Sequence, residues 1–227
     1  NTGAVLDRAS SYQGWLWKRG AGCDVVTYDG GFDGSTKTII HSLNKVPEMI
    51  WQKNRASSSS WITYHKGLNG GTNAWNYSLF LNTAGAEMAN AGLMTGTPTS
   101  KSLILSGTNW QNNISVSGVK GILFLFASVE GISKVGYYTG SGSAGNEQNI
   151  GFSPRFLIVR KVSGDFWQVL DTTRGWGAGA DKKLELSDNS AQVSVDIGAP
   201  TSTGFTWVDG SGAYNASGQN YIYYAHS

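Results

Sequence analysis

Apolar and polar residues alternate in short runs along this chain, and the runs come in two series that follow one another in the same order. From residue 25 the runs are VVTY, TKTIIH, EMIWQK, SWITYH, YSLFLN, KSLILS and GILFLFA. From residue 135 they are VGYY, EQNIGF, RFLIVRK, FWQVLD, KLELS, FTWVD and YIYYAH. Alternation with a period of two is the signature of a half-buried strand, and the turn-formers between the runs, such as LNGGTN, TGSGSAG and DGSGAYNASG, mark chain reversals. One helix is predicted, a turn or two in AGAEMANAG over residues 84–92.

The two series align along their whole length. VPEMIWQKN around Pro47 answers FSPRFLIVRK around Pro154, WITYHKG from Trp61 answers WQVLDTTRG from Trp167, and SLFLNTAGAEM from Ser78 answers KLELSDNSAQV from Lys183. GTPTSKSLIL from Gly96 answers GAPTSTGFTW from Gly198, and SGVKGILFLFA from Ser117 answers SGQNYIYYAHS from Ser217. Internal repetition of this kind predicts an all-β chain of two tandem antiparallel β-sandwich repeats, jelly-roll-like, over residues 25–128 and 135–227. Residues 1–24 form a lead-in. Within it YQGWLWKR, from Tyr12 to Arg19, resembles the closing run of each series and is expected to be an orphan closing strand. Either a further repeat lies upstream, or this strand pairs into the first sandwich. The chain opens on Asn rather than Met, so it reads as processed or as part of something longer.

Composition narrows the functional classes. Charged residues make up 14% of the chain and the net charge is +2, with no basic cluster, so nothing draws it to nucleic acid or an anionic membrane. No run approaches the roughly 18 apolar residues of a membrane-spanning helix, and no signal peptide opens the chain. Gly is abundant, Trp and Tyr are frequent, and the lone Cys23 has no partner for an internal disulfide.

Catalytic signatures are missing. Gly140, Gly142 and Gly145 spell GxGxxG, but a strand-like run follows where a dinucleotide site needs a helix, so the triplet is expected to be a turn. There is no GxSxG, HExxH or P-loop. His41, His65 and His226 are scattered, with no second ligand at zinc spacing. DGGFDG from Asp29 reads as a solvated turn rather than a calcium loop. A glycosidase needs two facing carboxylates, yet Asp171 aligns with His65 and Glu185 with Phe80, so Asp171 is expected to pair locally with Arg174. The sequons at Asn76, Asn113 and Asn215 would matter only in a eukaryotic secreted protein. The reading is therefore non-enzymatic, with no catalytic residue, metal or cofactor.

Aromatics between the runs are the remaining candidates. Trp75 and Trp176 occupy matching loops, as do Trp110 and Tyr214, and with Asn112 and Asn215 they form the candidate ligand or receptor contacts. Aromatic faces beside amides suit a sugar or a protein surface, as in a lectin-like module. The same side chains could instead fold back and cap the open end of a sandwich core.

WLWKRGAGCDVVTYDG, VPEMIWQKN, WITYHKGL, SLFLNTAGAEM, LDTTRG and NASGQNYIYYA together resemble a repeat domain of virion proteins of tailed bacteriophages, especially marine ones. The resemblance runs from about Tyr12 to the end and implies a structural role in a tail fibre or in a head or tail appendage. It also implies a place on the virion surface, with other virion proteins, a host surface glycan and further copies of the chain, a trimer among them, as partners. It brings no catalytic residues. The first series departs from its D-x-x-R-G pattern, with YHKGL at Tyr64.

Overall fold

A computed structural model describes residues 13–30, 36–89, 93–106 and 118–227. The chain is all-β. Its first half contains β1 (Cys23–Asp29), β2 (Thr36–Ile40), β3 (Met49–Asn54), β4 (Ile62–His65), β5 (Tyr77–Phe80), β6 (Met88–Ala89), β7 (Ser102–Ser106) and β8 (Lys120–Phe126). The second half contains β9 (Ser133–Thr139), β10 (Gln148–Asn149), β11 (Phe156–Lys161), β12 (Gln168–Asp171), β13 (Asp181–Glu185), β14 (Val193–Val195), β15 (Gly198–Pro200), β16 (Gly204–Trp207) and β17 (Asn220–His226).

Four antiparallel sheets result. One six-stranded sheet runs β1-β8-β3-β4-β5-β6 and the other, read from its opposite end, β9-β17-β11-β12-β13-β14. The orders correspond strand for strand, and so do the ladders. Trp51 lies opposite Thr63 and Phe124 in the first sheet. Ile158, at the aligned position, lies opposite Val169 and Tyr224 in the second. Each large sheet has a small companion, β2-β7 in the first half and β10-β16-β15 in the second.

Strand pleat sends alternate residues to opposite faces, and both faces of each large sheet carry buried side chains. Leu157, Val159, Leu170, Tyr221 and Tyr223 of the second sheet share a core with Phe205 and Trp207 of its companion. The other face of that sheet, with Ile158, Val169, Ile222 and Tyr224, belongs to the same cluster as Met49, Trp51 and Phe126 of the first sheet. The Phe126 and Tyr224 rings are 5.0 Å apart. The two large sheets therefore pack against each other, with the small sheets outside them. Glycines make room in this packing: a Cβ on Gly121 would lie 2.0 Å from the ring of Tyr28, its cross-strand partner, and Gly136 faces Tyr223 in the same way.

Polar groups cross the same interface. Arg160 is fully buried and donates to the carbonyls of Phe80, at 2.6 Å, and of Gly85. Its guanidinium lies over the Trp167 ring, and Trp167 Nε1 donates to the same Phe80 oxygen at 3.0 Å. His65 is also fully buried: Gly67 N–H donates to its Nδ1 at 2.9 Å, which leaves Nε2–H to donate to the Tyr223 carbonyl at 3.1 Å.

Two expectations need correction. Residues 84–87 adopt no helix, and Met88–Ala89 form the edge strand β6 instead. Two residues of sheet pairing with β5 and a bond from Glu87 N to the Val162 carbonyl satisfy this backbone, while the rest of the expected helix, residues 90–92, lies outside the described residues. The orphan closing strand is not a strand either. Residues 13–18 join no ladder. Their alternation has another cause: Trp15 and Trp17 turn inward onto the seam between the large sheets, and Leu16 between them is 98% exposed.

Candidate functional site

Loop aromatics come first, because the sequence pointed to them. Trp176 is buried, with its ring tilted against Phe205. The backbone explains why. Asp171 accepts from Arg174 N–H at 2.9 Å and pairs with its side chain, and the Asp171 carbonyl accepts from Trp176 N–H at 3.0 Å. This turn, the local pairing expected of LDTTRG, throws Trp176 into the core. Tyr214 is buried 4.9 Å from the Trp207 ring, and its hydroxyl donates to Asp209. Burial pushes that hydroxyl above the ordinary tyrosine pKa.

Asn215 is 0% exposed. Its carbonyl oxygen accepts from Ser141 N and from Asn146 Nδ2, and its amide nitrogen donates to the carbonyls of Ser143 and Asp209. An amide so used cannot greet a ligand; it ties the loop of the GxGxxG glycines to the loop before β17. Of the two readings for these aromatics, Trp176 and Tyr214 follow the capping one. Asn215 is likewise removed from the candidate contacts by its burial. Trp75 is half-buried, on a short 3-10 turn at Ala74–Asn76, and packs against the first core. Asn69 and Asn73 supply the left-handed backbone that folds its loop. Trp110 and Asn112 lie outside the described residues.

A different place brings chemistry together. Between residues 13–17 and one end of the second large sheet runs a groove of about 280 Å³. Trp15, Trp17 and Phe156 give it aromatic walls, and Arg155, Asp171, Thr173 and His226 give it polar ones. Trp15 is held at three points: its Nε1 donates to Asp171 Oδ2 at 3.1 Å, the Arg174 guanidinium lies 5.4 Å from its ring centre, and the Phe156 ring meets it edgewise at 5.9 Å. Trp17 spans the seam, touching Trp51 and Phe126 of one sheet and Phe156 of the other.

Asp171 is spent in this arrangement. One oxygen accepts from Arg174 N–H, the other from Trp15 and the Arg174 side chain, so it is no free catalytic base. Arg155 and Thr173, both exposed, have no side-chain partner among the described residues. Among those residues, no group of three or more His, Cys, Asp and Glu side chains is arranged to hold a metal ion, and no helix is long and apolar enough to cross a membrane.

The groove was missed in the sequence because Trp15 and Trp17 look like strand residues. A signal was present nonetheless. In the alignment of VPEM with SPRF, Glu48 stands against Arg155, a reversal of charge within a matching scaffold.

A family model described as a domain of unknown function, DUF7483, matches residues 11–227. The chain belongs to this family. No curated protein and no solved structure matches it. The matched span takes in residues 13–19 together with both large sheets, so in this DUF7483 chain the tryptophan-bearing lead-in is as much part of the family's domain as the strands it packs on.

Proposed function

We propose that this chain is a non-enzymatic structural and adhesion module, built from two copies of one jelly-roll-like β-sandwich and carried on the surface of a tailed-phage virion as part of a fibre or appendage. The observation that carries the scaffold reading is the matching register of the two large sheets combined with their face-to-face packing. Duplicated strands that coincide pair for pair, while polar residues at aligned positions differ, preserve a framework rather than a reaction centre. The virion setting comes from the sequence resemblance, which extends over the same span. A module of this kind would work among other virion proteins and further copies of itself, with a trimer the natural arrangement for a fibre.

Quantitative mass spectrometry of purified particles tests this reading. The chain should be present at a fixed copy number relative to the capsid protein; its absence from particles contradicts the proposal. A lectin-like role within that setting gains support from the groove beside Trp15, where an immobilised aromatic shares one concave surface with Arg155 and Thr173, which have no side-chain partner among the described residues.

A further inference from the structure

We propose that the groove between residues 13–17 and the second large sheet binds an acidic sugar, with a pyranose ring stacked on Trp15 and its carboxylate paired with Arg155. This assignment rests on the adhesion reading and gives it a ligand class.

The aromatic wall is pre-organised. Three contacts fix the Trp15 indole before any ligand arrives, so little conformational entropy is lost on binding. Trp15 stays half-exposed along the groove. A sugar ring has an apolar face of C–H groups and a rim of hydroxyls, and an indole flanked by donors and acceptors matches both. Thr173 and His226 line the groove and supply hydrogen-bonding groups.

The charge balance selects an anion. Asp171 and Arg174 neutralise each other, and Arg174 also donates to the Val169 carbonyl and to Gln192. Arg155 is then left without an ion-pair partner among the described residues. Its aligned residue shows the alternative: Glu48 pairs with Lys66 and accepts from Ser128 N–H at 2.6 Å. The backbone is the same at both places, since Glu48 N–H donates to the Phe126 carbonyl and Arg155 N–H to the His226 carbonyl, each at 2.8 Å. One scaffold position is thus satisfied internally in the first half and, among the described residues, left without a side-chain partner and with opposite charge in the second. A guanidinium facing solvent beside a fixed aromatic is suited to a carboxylate, which it can hold through two parallel hydrogen bonds.

Titration calorimetry with trigalacturonate, and with maltotriose as the neutral counterpart, tests the assignment. The native chain should bind trigalacturonate about tenfold or more tighter than maltotriose, a preference that shrinks as salt is raised. Arg155→Gln should abolish the preference while leaving the fold intact, because the side chain is exposed. Trp15→Ala should weaken both sugars about tenfold, with near-ultraviolet circular dichroism reporting whether the lead-in stays docked. No binding of trigalacturonate by the native chain, or binding unchanged in Arg155→Gln, overturns the proposal. The two readings fail separately: a chain absent from particles that binds trigalacturonate refutes the virion role alone, and a chain present in particles that does not bind it refutes the groove alone.

Discussion

Replacing Arg160 by alanine should lower the unfolding free energy by about 3 kcal/mol. Arg160 projects from β11 into the seam, where it is fully buried and donates to two carbonyls at the far end of β5 and beyond. Its removal leaves the Gly85 carbonyl without that donor. The Phe80 carbonyl keeps the Trp167 Nε1 donor. A cavity beside the Trp167 ring adds to the cost. Arg160→Met separates the two causes, since it refills the volume without restoring the hydrogen bonds and should recover less than half of the loss. The aligned Lys53 gives an internal comparison. It reaches the carbonyls of Ser57 and Ser59 in its own half, so Lys53→Ala should cost clearly less. Urea unfolding of the four proteins reads these differences, and a loss below about 1 kcal/mol for Arg160→Ala would remove the residue from the account of the seam.

Acidification should weaken the fold through His65. Burial holds this imidazole down from 6.5 to about 4. The unfolded chain therefore binds a proton that the folded chain refuses between those values, and stability falls as the pH drops from about 6.5 to 4. The whole effect amounts to about 3 kcal/mol once both limits are passed. Its cause is geometric: Nδ1 already accepts from Gly67 N–H, so a proton there destroys that bond and puts a charge between the sheets. Lys66 opposes the protonation and Glu48 favours it, both less than burial does. Asp24 and Glu48, whose carboxyls are held low by hydrogen bonds that outweigh their burial, add their own loss at still lower pH. His65→Gln can keep one donor and one acceptor but cannot titrate. Its stability should be lower at pH 7 and should fall less steeply than that of the native protein below pH 6.5, part of the remaining slope coming from His41, whose imidazole is also held down by burial. Equal slopes for the two would show that His65 is not the group responsible.

Much of this architecture was legible from residue pattern. Every one of the seven runs in each half became a strand, and the aligned pairs fell into the same ladders, because alternation and turn residues act locally and the repeat doubles the signal. What the pattern could not carry was the packing of one half on the other. Ile158 and Tyr224 read as ordinary strand residues, and nothing local to them says that the opposing surface is another large sheet. The lead-in misled for the same reason: Trp15 and Trp17 alternate with Leu16 because they fill a seam, not because they pair in a ladder. Met88 illustrates the converse, a segment with helix-forming composition drawn to a sheet edge by partners distant in sequence. The loop aromatics were found but their direction was not, since the turn at Asp171 that buries Trp176 is set by three-dimensional hydrogen bonding. Arg155 was visible only as a charge reversed between aligned positions, a clue whose meaning depends on Trp15 lying alongside.

Face-to-face locking of the two halves into one body is the claim on which the rest depends, and differential scanning calorimetry of the native chain tests it most directly. One cooperative transition is expected, with equal calorimetric and van't Hoff enthalpies. Two resolved transitions, each carrying part of the enthalpy, would mean that the halves unfold independently and would contradict it.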